Sequence, residues 1–160
     1  MVILTEITLI HAPLERCFDL SRSIDLHKVS TARTGEEAIA GVTSGLIGLG
    51  EEVSWRARHF GVWQQMTSRI TAFDRPAYFQ DTMARGALRS FRHDHYFEER
   101  DEGQTEMRDV LRFAAPLSIL GRLAEIPLKP YLRRFLQERN ALLKQAAEGE
   151  EWRRFLNAER

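Results

Sequence analysis

The segment Leu88–Phe97 carries the residues best suited to chemistry, because its histidine and aromatic side chains recur at every second position. Successive side chains of a β-strand point to opposite faces, so a strand here places four of them on one face: Phe91, His93, His95 and Phe97. If this face is buried, the imidazoles need hydrogen-bonding partners, because burying an unpaired polar group is costly. The segment therefore predicts a cavity with polar groups in its wall and a molecule bound there.

A carboxylate is expected opposite these histidines on the next strand. Asp-Glu-Gly at 101–103 indicates a hairpin turn, and symmetric pairing about it places His95 opposite Met107 and His93 opposite Asp109. An aspartate beside a histidine raises its pKa and fixes its tautomer, which suits a general acid or base and equally a buried hydrogen-bond network. His93 and Asp109 are therefore the candidate catalytic residues.

The strands before Leu88 add further groups to the same face. Asp81 shares one strand face with Phe79 and Met83, and these apolar side chains indicate that this face is the inner one. The apolar face of the strand predicted at 51–60 ends in His59, which is expected near the mouth of the cavity. The predicted ligand-binding residues are Trp55, His59, Phe79, Asp81, Met83, Phe91, His93, His95, Phe97, Met107 and Asp109.

The cluster of Asp81, His93, His95 and Asp109 has three interpretations. It could be a satisfied polar network that supports a curved sheet, since buried His and Asp must pair. It could instead provide polar contacts to a bound organic ligand, with acid or base help. As a third interpretation, two His and two Asp would suit zinc or iron, but the H-x-H pair lacks a recognised second motif. We therefore predict no metal and no cofactor.

The elements that position these residues are mostly strands. From Gly35 onward apolar side chains alternate with period two, and short turn signals separate the runs. Six strands are predicted, at 36–40, 51–60, 63–73, 78–84, 88–99 and 104–114. Connections this short leave no room for crossover helices, so the strands should form an antiparallel meander.

A further strand and three helices flank the meander. The strand at 2–11 carries Ile3, Thr5, Ile7 and Leu9 on one face, and short helices follow near Pro13 and Ile24. After Pro116 an apolar stripe predicts a helix that packs on the sheet: Leu132, Phe135, Leu136, Leu142, Leu143 and Ala146. A solvated face is predicted for Arg133, Arg134, Glu138, Arg139 and Lys144.

The loop at 41–50, GVTSGLIGLG, is the glycine-rich segment of the chain. It has neither the order of a dinucleotide-binding loop nor the Lys-Ser/Thr of a P-loop, so it is not a phosphate cradle. Two roles stay open for it. It is either a flexible gate with an apolar tip or an ordinary loop tucked against the domain.

Composition bounds the class of protein. The chain has 160 residues, 43% of them hydrophobic, which is enough for one domain with a sizeable core. Lys+Arg and Asp+Glu both total 23, so no global positive field favours nucleic acid. The single cysteine, Cys17, excludes an internal disulfide and lies on an apolar helix stripe, where a buried core role is expected.

The N-terminal segment and the apolar runs of the sequence bear on the cellular location of the protein. Glu6 interrupts the apolar stretch in which a signal peptide would need an unbroken core. No run approaches the roughly 20 apolar residues of a membrane span. We therefore expect a cytoplasmic domain without stable membrane insertion.

The order of elements, a strand, two short helices, six strands and a long helix, is that of the helix-grip fold. The chain resembles the START-like superfamily, also called SRPBCC, which includes polyketide cyclases and dehydrases, lipid-transfer domains and pollen-allergen-type proteins. Three segments resemble, more narrowly, a bacterial branch sometimes fused to an epimerase-like domain: RSIDLH at 22–27, GLIGLGEEVSWRARHFG at 45–61 and FQDTMARGALRSFRHDHYF at 79–97. The resemblance covers about residues 2–148.

The resemblance implies an α+β fold in which a curved antiparallel sheet of about seven strands (β-α-α-β6-α) wraps around a long C-terminal helix. A single START-like domain is expected at 1–148, with a C-terminal tail at 149–160 in which Trp152 and Phe155 could dock. In START-like proteins two short helices and the glycine-rich loop close the cavity. This would place Arg22, Asp25 and His27 at its edge.

Three functions fit these features. The first is a binding or transfer protein for a small hydrophobic or amphipathic molecule. The second is a cyclase/dehydrase-like or hydrolytic enzyme that uses the pair His93 and Asp109 as general acid and base. The third is an accessory protein-interaction domain, working with a partner enzyme, whose cavity is filled by its own side chains. A cavity well below about 300 Å³ would favour the third.

Overall fold

The computed structural model describes residues 1–116 and 118–156, so the end of the predicted tail, 157–160, lies outside the described residues. A 3₁₀ turn at Ala32–Thr34 follows the second helix. The other elements are β1 (Val2–Ile10), α1 (Leu14–Ser21), α2 (Ile24–Ser30), β2 (Glu37–Gly41), β3 (Glu52–His59), β4 (Val62–Asp74), β5 (Tyr78–Arg85), β6 (Ser90–Asp101), β7 (Gln104–Ala114), α3 (Ser118–Glu148) and α4 (Trp152–Leu156). All the predicted strands and helices are present.

The seven strands form one antiparallel sheet in the order β1-β7-β6-β5-β4-β3-β2. The meander is confirmed, and β1 joins it beside β7. Irregular pairings in β2, β4 and β6 bend the sheet, since a bulge increases local twist. The long helix α3 packs against β1, α1 and α2. This is the predicted helix-grip arrangement.

Two turns show why glycine is needed in the meander. The β3–β4 hairpin turns at Phe60 and Gly61, both with positive φ, as a two-residue type I′ turn requires. Gly41 also has a positive φ, and a Cβ there would lie 2.2 Å from the carbonyl oxygen of Glu52. A side chain at Gly41 would therefore push β2 away from β3.

The face of β1 that carries Ile3, Ile7 and Leu9 is the exposed one, with 51%, 59% and 46% of these side chains accessible. The opposite face carries the fully buried Leu4 and Ile10. Glu6 and Thr8 lie between those two on the buried face and contact polar side chains of α3. The alternation identified the strand, but polar side chains on the helix-facing side concealed which face is inward.

The register between β6 and β7 differs from the prediction by two residues. His95 lies opposite Asp109 and His93 opposite Leu111, because the turn centres on Glu102 and Gly103 and the pairing shifts between Glu99 and Asp101. The symmetric pairing predicted from the sequence is therefore wrong. A shift of two residues leaves every side chain on its predicted face, so the histidines still point inward.

The glycine-rich loop is tied to the first two helices. Gly45 accepts a hydrogen bond from the backbone of Ile24 and donates one to Asp25, and the backbone N–H of Ile47 donates to Arg22. The Ile47 side chain is buried. Leu49 is exposed. The structure thus shows the loop packed against the domain.

The C-terminal segment also packs on the core. Phe155 of α4 is 5% exposed and belongs to the main apolar cluster, and the guanidinium of Arg16 lies 4.3 Å from the Trp152 ring. Cys17 in α1 is fully buried, and burial raises the pKa of its thiol to about 11. Its predicted core role agrees with this environment. In the described part of the chain, no helix is long and apolar enough to cross a membrane.

Buried apolar side chains form two separate clusters. The larger surrounds Phe18 of α1, and the smaller joins Leu4, Leu111 and Phe113 to residues at the start of α3. The sheet and α3 border both clusters without filling the space between them. This leaves a cavity under the concave face of the sheet.

Candidate functional site

The cavity has a volume of about 540 Å³. Its wall is largely apolar and is formed by β3 to β6, by α2 and by α3. Eight of the predicted ligand-binding residues line it: Trp55, His59, Phe79, Asp81, Met83, Phe91, His93 and His95. The inward faces predicted for these strands therefore converge on one space.

The other three predicted ligand-binding residues do not line the cavity. Phe97 and Met107 are buried in the larger apolar cluster, where Phe97 packs 5.4 Å from Phe18, measured between ring centroids. Asp109 is fully buried behind the histidines. Phe97 and Met107 are kept from the cavity because α1 packs over this end of the sheet. Asp109 is enclosed instead by the histidines and by Arg139 and Asn140 of α3. A strand pattern alone does not reveal either arrangement.

The two histidines and two aspartates form one compact group. His93 donates from Nε2 to Asp109 Oδ1 at 2.9 Å, and His95 donates from Nε2 to Asp81 Oδ2 at 3.1 Å. His95 Nδ1 lies 3.0 Å from Asp109 Oδ1, an ionic contact whose angle is too poor for a hydrogen bond. The imidazole centroids are 3.8 Å apart, and Phe79 stacks on His95 at 4.1 Å.

Burial and charge pairing assign the protons in this group. Burial raises the pKa of Asp109, but contacts with both histidines outweigh it and hold the pKa well below the usual value. The pKa of Asp81 is lowered in the same way, against burial, by His95 and His93. Burial lowers the pKa of His95, yet the two carboxylates outweigh burial and raise it. His93 has a lowered pKa because of burial and the neighbouring His95. Of the two imidazoles, His95 therefore holds a proton more strongly than His93.

Arg139 is a member of this site that the sequence interpretation missed. It was predicted on the solvated face of the last helix, but it is 6% exposed, lines the cavity and lies 3.9 Å from Asp109. It donates to the backbone carbonyl of Ser21 and to the Asn140 side chain. A signal was present, since position 139 follows Leu136 by three residues and so falls on the apolar stripe.

Asn140 completes the support of Asp109. Its Nδ2 donates to Asp109 Oδ2 at 2.7 Å, so both carboxylate oxygens have partners. The Asp81 and Asp109 carboxylates lie against the two imidazoles, and Asp109 also lies 3.9 Å from Arg139. The inner group is thus a wall of the cavity whose polar side chains pair with one another.

A second polar group borders the same cavity. His27 Nε2 lies 3.3 Å from the mostly buried Glu36 carboxylate, and His59 Nδ1 lies 2.7 Å from the Tyr131 hydroxyl. Burial raises the pKa of Glu36, but the charge and hydrogen bond of His27 outweigh it and lower the pKa. Burial lowers the pKa of His59. Glu36 and Tyr131 were not identified from the sequence, because each stands outside a recognisable pattern.

The predicted edge residues have separate roles. Arg22 lines the cavity and pairs with Asp19, while His27 belongs to the second polar group. Asp25 does not line the cavity; its carboxylate accepts from the Gly45 backbone and pairs with Lys28. Asp25 therefore holds the glycine-rich loop in place.

Comparisons with known proteins concern the fold. No protein-family profile matches the chain, and no curated protein matches it. Among solved structures, the Zhui aromatase/cyclase from Streptomyces sp. R1128 aligns with a TM-score of 0.74 at 14% identity, over 99% of this chain and 98% of that one. A START superfamily protein from Mycobacterium smegmatis aligns with a TM-score of 0.67 at 8% identity, over 89% and 97%. The chain has a START-like fold.

A third solved structure shares this fold. The protein TTHA0849 from Thermus thermophilus has a TM-score of 0.74 at 15% identity, and the alignment covers 91% of this chain and 97% of that one. Identities this low establish the shared START-like fold alone. The chemistry of the site must therefore be argued from its own residues.

Proposed function

We propose that this START-like domain binds a small hydrophobic or amphipathic molecule in its cavity, as a binding or transfer protein. One observation carries the proposal: the cavity of about 540 Å³ has a largely apolar wall with two groups of polar side chains. Ligand sites of about 300–1,000 Å³ with a few placed polar groups are typical of proteins that bind small molecules. The volume argues against an accessory domain with a filled cavity.

The inner polar group limits what the ligand can carry. Its carboxylates face the histidines, and Arg139 lies beside Asp109, so an anionic group of a ligand would be buried there without a free counter-ion, at high cost. An uncharged oxygen-bearing group, such as a hydroxyl or carbonyl, could accept from Arg139 or approach His93. The apolar part of the ligand would then pack against Trp55 and Phe91. A cytoplasmic location and contact with a partner enzyme stay predictions from the sequence.

Filling the cavity tests this proposal. Ala57 is 3% exposed and lines the cavity, so Ala57→Phe places a ring in the space a ligand would use. The variant is expected to bind the uncharged fluorescent probe N-phenyl-1-naphthylamine at least about tenfold more weakly than the unaltered protein, a loss of about 1.4 kcal/mol. Fluorescence titration gives both dissociation constants.

The matched control is Ala84→Phe, which adds the same ring at an exposed position of β5 outside the cavity. It should leave probe binding unchanged. Circular dichroism and thermal melting check that each variant is folded, because loosely packed states also bind this probe. Equal affinities of the two variants would argue against binding in the cavity.

Acid–base catalysis by His93 is a second candidate function. In its neutral form His93 donates from Nε2 to Asp109, which leaves a lone pair on Nδ1; this nitrogen lies 3.9 Å from Asp81 Oδ2, and both residues line the cavity. This is the orientation that a general base needs. The alternative enzyme, cyclase/dehydrase-like or hydrolytic, rests on this geometry.

Proton exchange at the α-carbon of a small ketone separates the two functions. With acetophenone in deuterated buffer, a general base at His93 should make exchange, followed by NMR, at least about 100-fold faster than in His93→Gln. Acetophenone binding should change only a few-fold. His59→Gln, which alters another cavity histidine, serves as the control. Equal exchange rates in all three proteins would favour binding without catalysis.

A further inference from the structure

Three side chains of the inner group converge as ligands for a metal ion would. His93 and His95 project from the same face of β6, and Asp81 lies directly opposite His93 on β5. Asp81 Oδ2 is 3.1 Å from His95 Nε2 and 3.9 Å from His93 Nδ1, and one ligand atom from each residue lies within 4.8 Å of the others. Two imidazoles and a carboxylate are a donor set that zinc and iron accept.

The other ring nitrogen of each histidine lies against the Asp109 carboxylate. His93 Nε2 and His95 Nδ1 lie 2.9 Å and 3.0 Å from the same oxygen of Asp109. The opposite nitrogen of each ring is therefore directed toward Asp81. Metal-binding histidines commonly have this outer carboxylate, which fixes the ring and increases its basicity.

Asp109 is itself fixed, which makes the arrangement rigid. Asn140 donates to its second oxygen at 2.7 Å, and Arg139 lies 3.9 Å from its first. Asp109 is fully buried, whereas Asp81 and His93 line the cavity. Asp109 therefore supports the histidines, and the Asp81 carboxylate is available to an ion.

We propose that Asp81, His93 and His95 bind a divalent transition-metal ion such as Zn²⁺, with Asp109 positioning both imidazoles. The ion lies between Asp81 and the two rings, where it replaces the proton that His95 shares with Asp81. Three protein ligands leave at least one coordination position open, as in zinc sites that bind substrate. That position faces the cavity, where an oxygen atom of a bound molecule could reach it.

The sequence alone placed Asp81 in this cluster but favoured no metal, because the H-x-H pair of His93 and His95 lacks a recognised second motif. Asp81 precedes His93 by twelve positions, and no fixed spacing links them; sheet pairing alone brings them together. Bonds of about 2.0–2.1 Å place neighbouring ligand atoms roughly 3.3 Å apart in a tetrahedral site. Asp81 Oδ2 is already 3.1 Å from His95 Nε2, and its 3.9 Å separation from His93 Nδ1 must shorten on binding.

Cobalt binding tests the site on the full chain without a histidine tag. The protein is stripped with EDTA, dialysed and titrated with Co²⁺, whose visible d–d absorption reports ligand number and type. We expect saturable bands at about one ion per chain, lost on addition of Zn²⁺. Mg²⁺ should not displace Co²⁺, because it prefers oxygen ligands.

Variants assign the ligands. Asp109→Asn, which alters the positioning residue, should weaken Co²⁺ binding about 10–100-fold, and His93→Gln or His95→Gln should weaken it more. Asp81→Glu keeps the carboxylate and should retain binding with shifted bands. His11→Gln, at an exposed histidine outside the cluster, is the matched control and should bind as the unaltered protein does.

The outcomes are decisive in both directions. No saturable band in the unaltered protein, or full-strength binding by both His93→Gln and His95→Gln, would overturn the metal site. The apolar-probe titration, done on the same EDTA-treated protein, is independent of it. Probe binding without cobalt binding refutes the metal site alone, and cobalt binding without probe binding refutes the ligand cavity alone.

Discussion

Replacing Asp109 with alanine is expected to lower the free energy of unfolding by about 3–5 kcal/mol, because it removes one partner of a buried ionic group. Asp109 is fully buried and contacts His93, His95, Arg139 and Asn140. Without it, Arg139 and both imidazoles lose the buried carboxylate that they share. Urea unfolding followed by circular dichroism gives the difference by linear extrapolation.

Two further variants separate charge from packing. Asp109→Asn keeps the shape and one acceptor but not the charge, so it should fall between the alanine variant and the unaltered protein. Asp101→Ala removes an exposed aspartate at the C-terminal end of β6 and should change the free energy of unfolding by no more than about 0.5 kcal/mol. If Asp109→Ala cost as little as Asp101→Ala, the inner group would not be a buried ionic network.

The second large effect is expected at Phe18. This fully buried ring of α1 packs edge-on against Phe73, Phe79 and Phe97 at centroid distances of 5.3–5.4 Å. Phe18→Ala should cost about 3–5 kcal/mol in the free energy of unfolding, since it removes buried apolar surface and leaves a cavity. Guanidinium unfolding with tryptophan fluorescence measures the change.

The result at Phe18 also bears on the site. Phe79 packs against Phe18 and also stacks on His95, so a displaced Phe79 would remove this stacking contact from the imidazole. Phe18→Leu, which fills part of the space, should cost less than the alanine variant. Phe60→Ala, at a phenylalanine that is 60% exposed, is the control and should stay within about 1 kcal/mol. A Phe18→Ala cost no larger than this control would show that α1 contributes little to the core.

Alternation in the sequence predicted the sheet and most of the cavity wall. Strand faces depend only on even or odd position, so the two-residue register difference between β6 and β7 did not move His93, His95 or Asp109 from the inner face. Direct contact with the cavity depends on more. Phe97 and Met107 share the inner face, but α1 covers them.

Residues from the helices were harder to predict. Arg139 is charged, as residues on a solvated helix face usually are, and only its spacing from Leu136 indicates that it is buried. Glu36 and Tyr131 reach the cavity from a segment before β2 and from α3, which become neighbours only when the sheet curves. Tertiary contacts of this kind leave no periodic signal, so a single sequence does not reveal them.

The pairing of β1 with β7 governs when the sheet can be completed. Val2 lies opposite Phe113 and Ile10 opposite Thr105. During synthesis β1 must therefore wait for its partner strand β7, which is the last of the seven strands to be made. At about 5–20 residues per second, that delay is roughly 5–20 s. Until then the apolar residues of β1, including Leu4 and Ile10, have no native partner strand. The nascent chain therefore exposes β1 as a binding segment for chaperones until β7 has been made, and folding should be slow for a domain of this size.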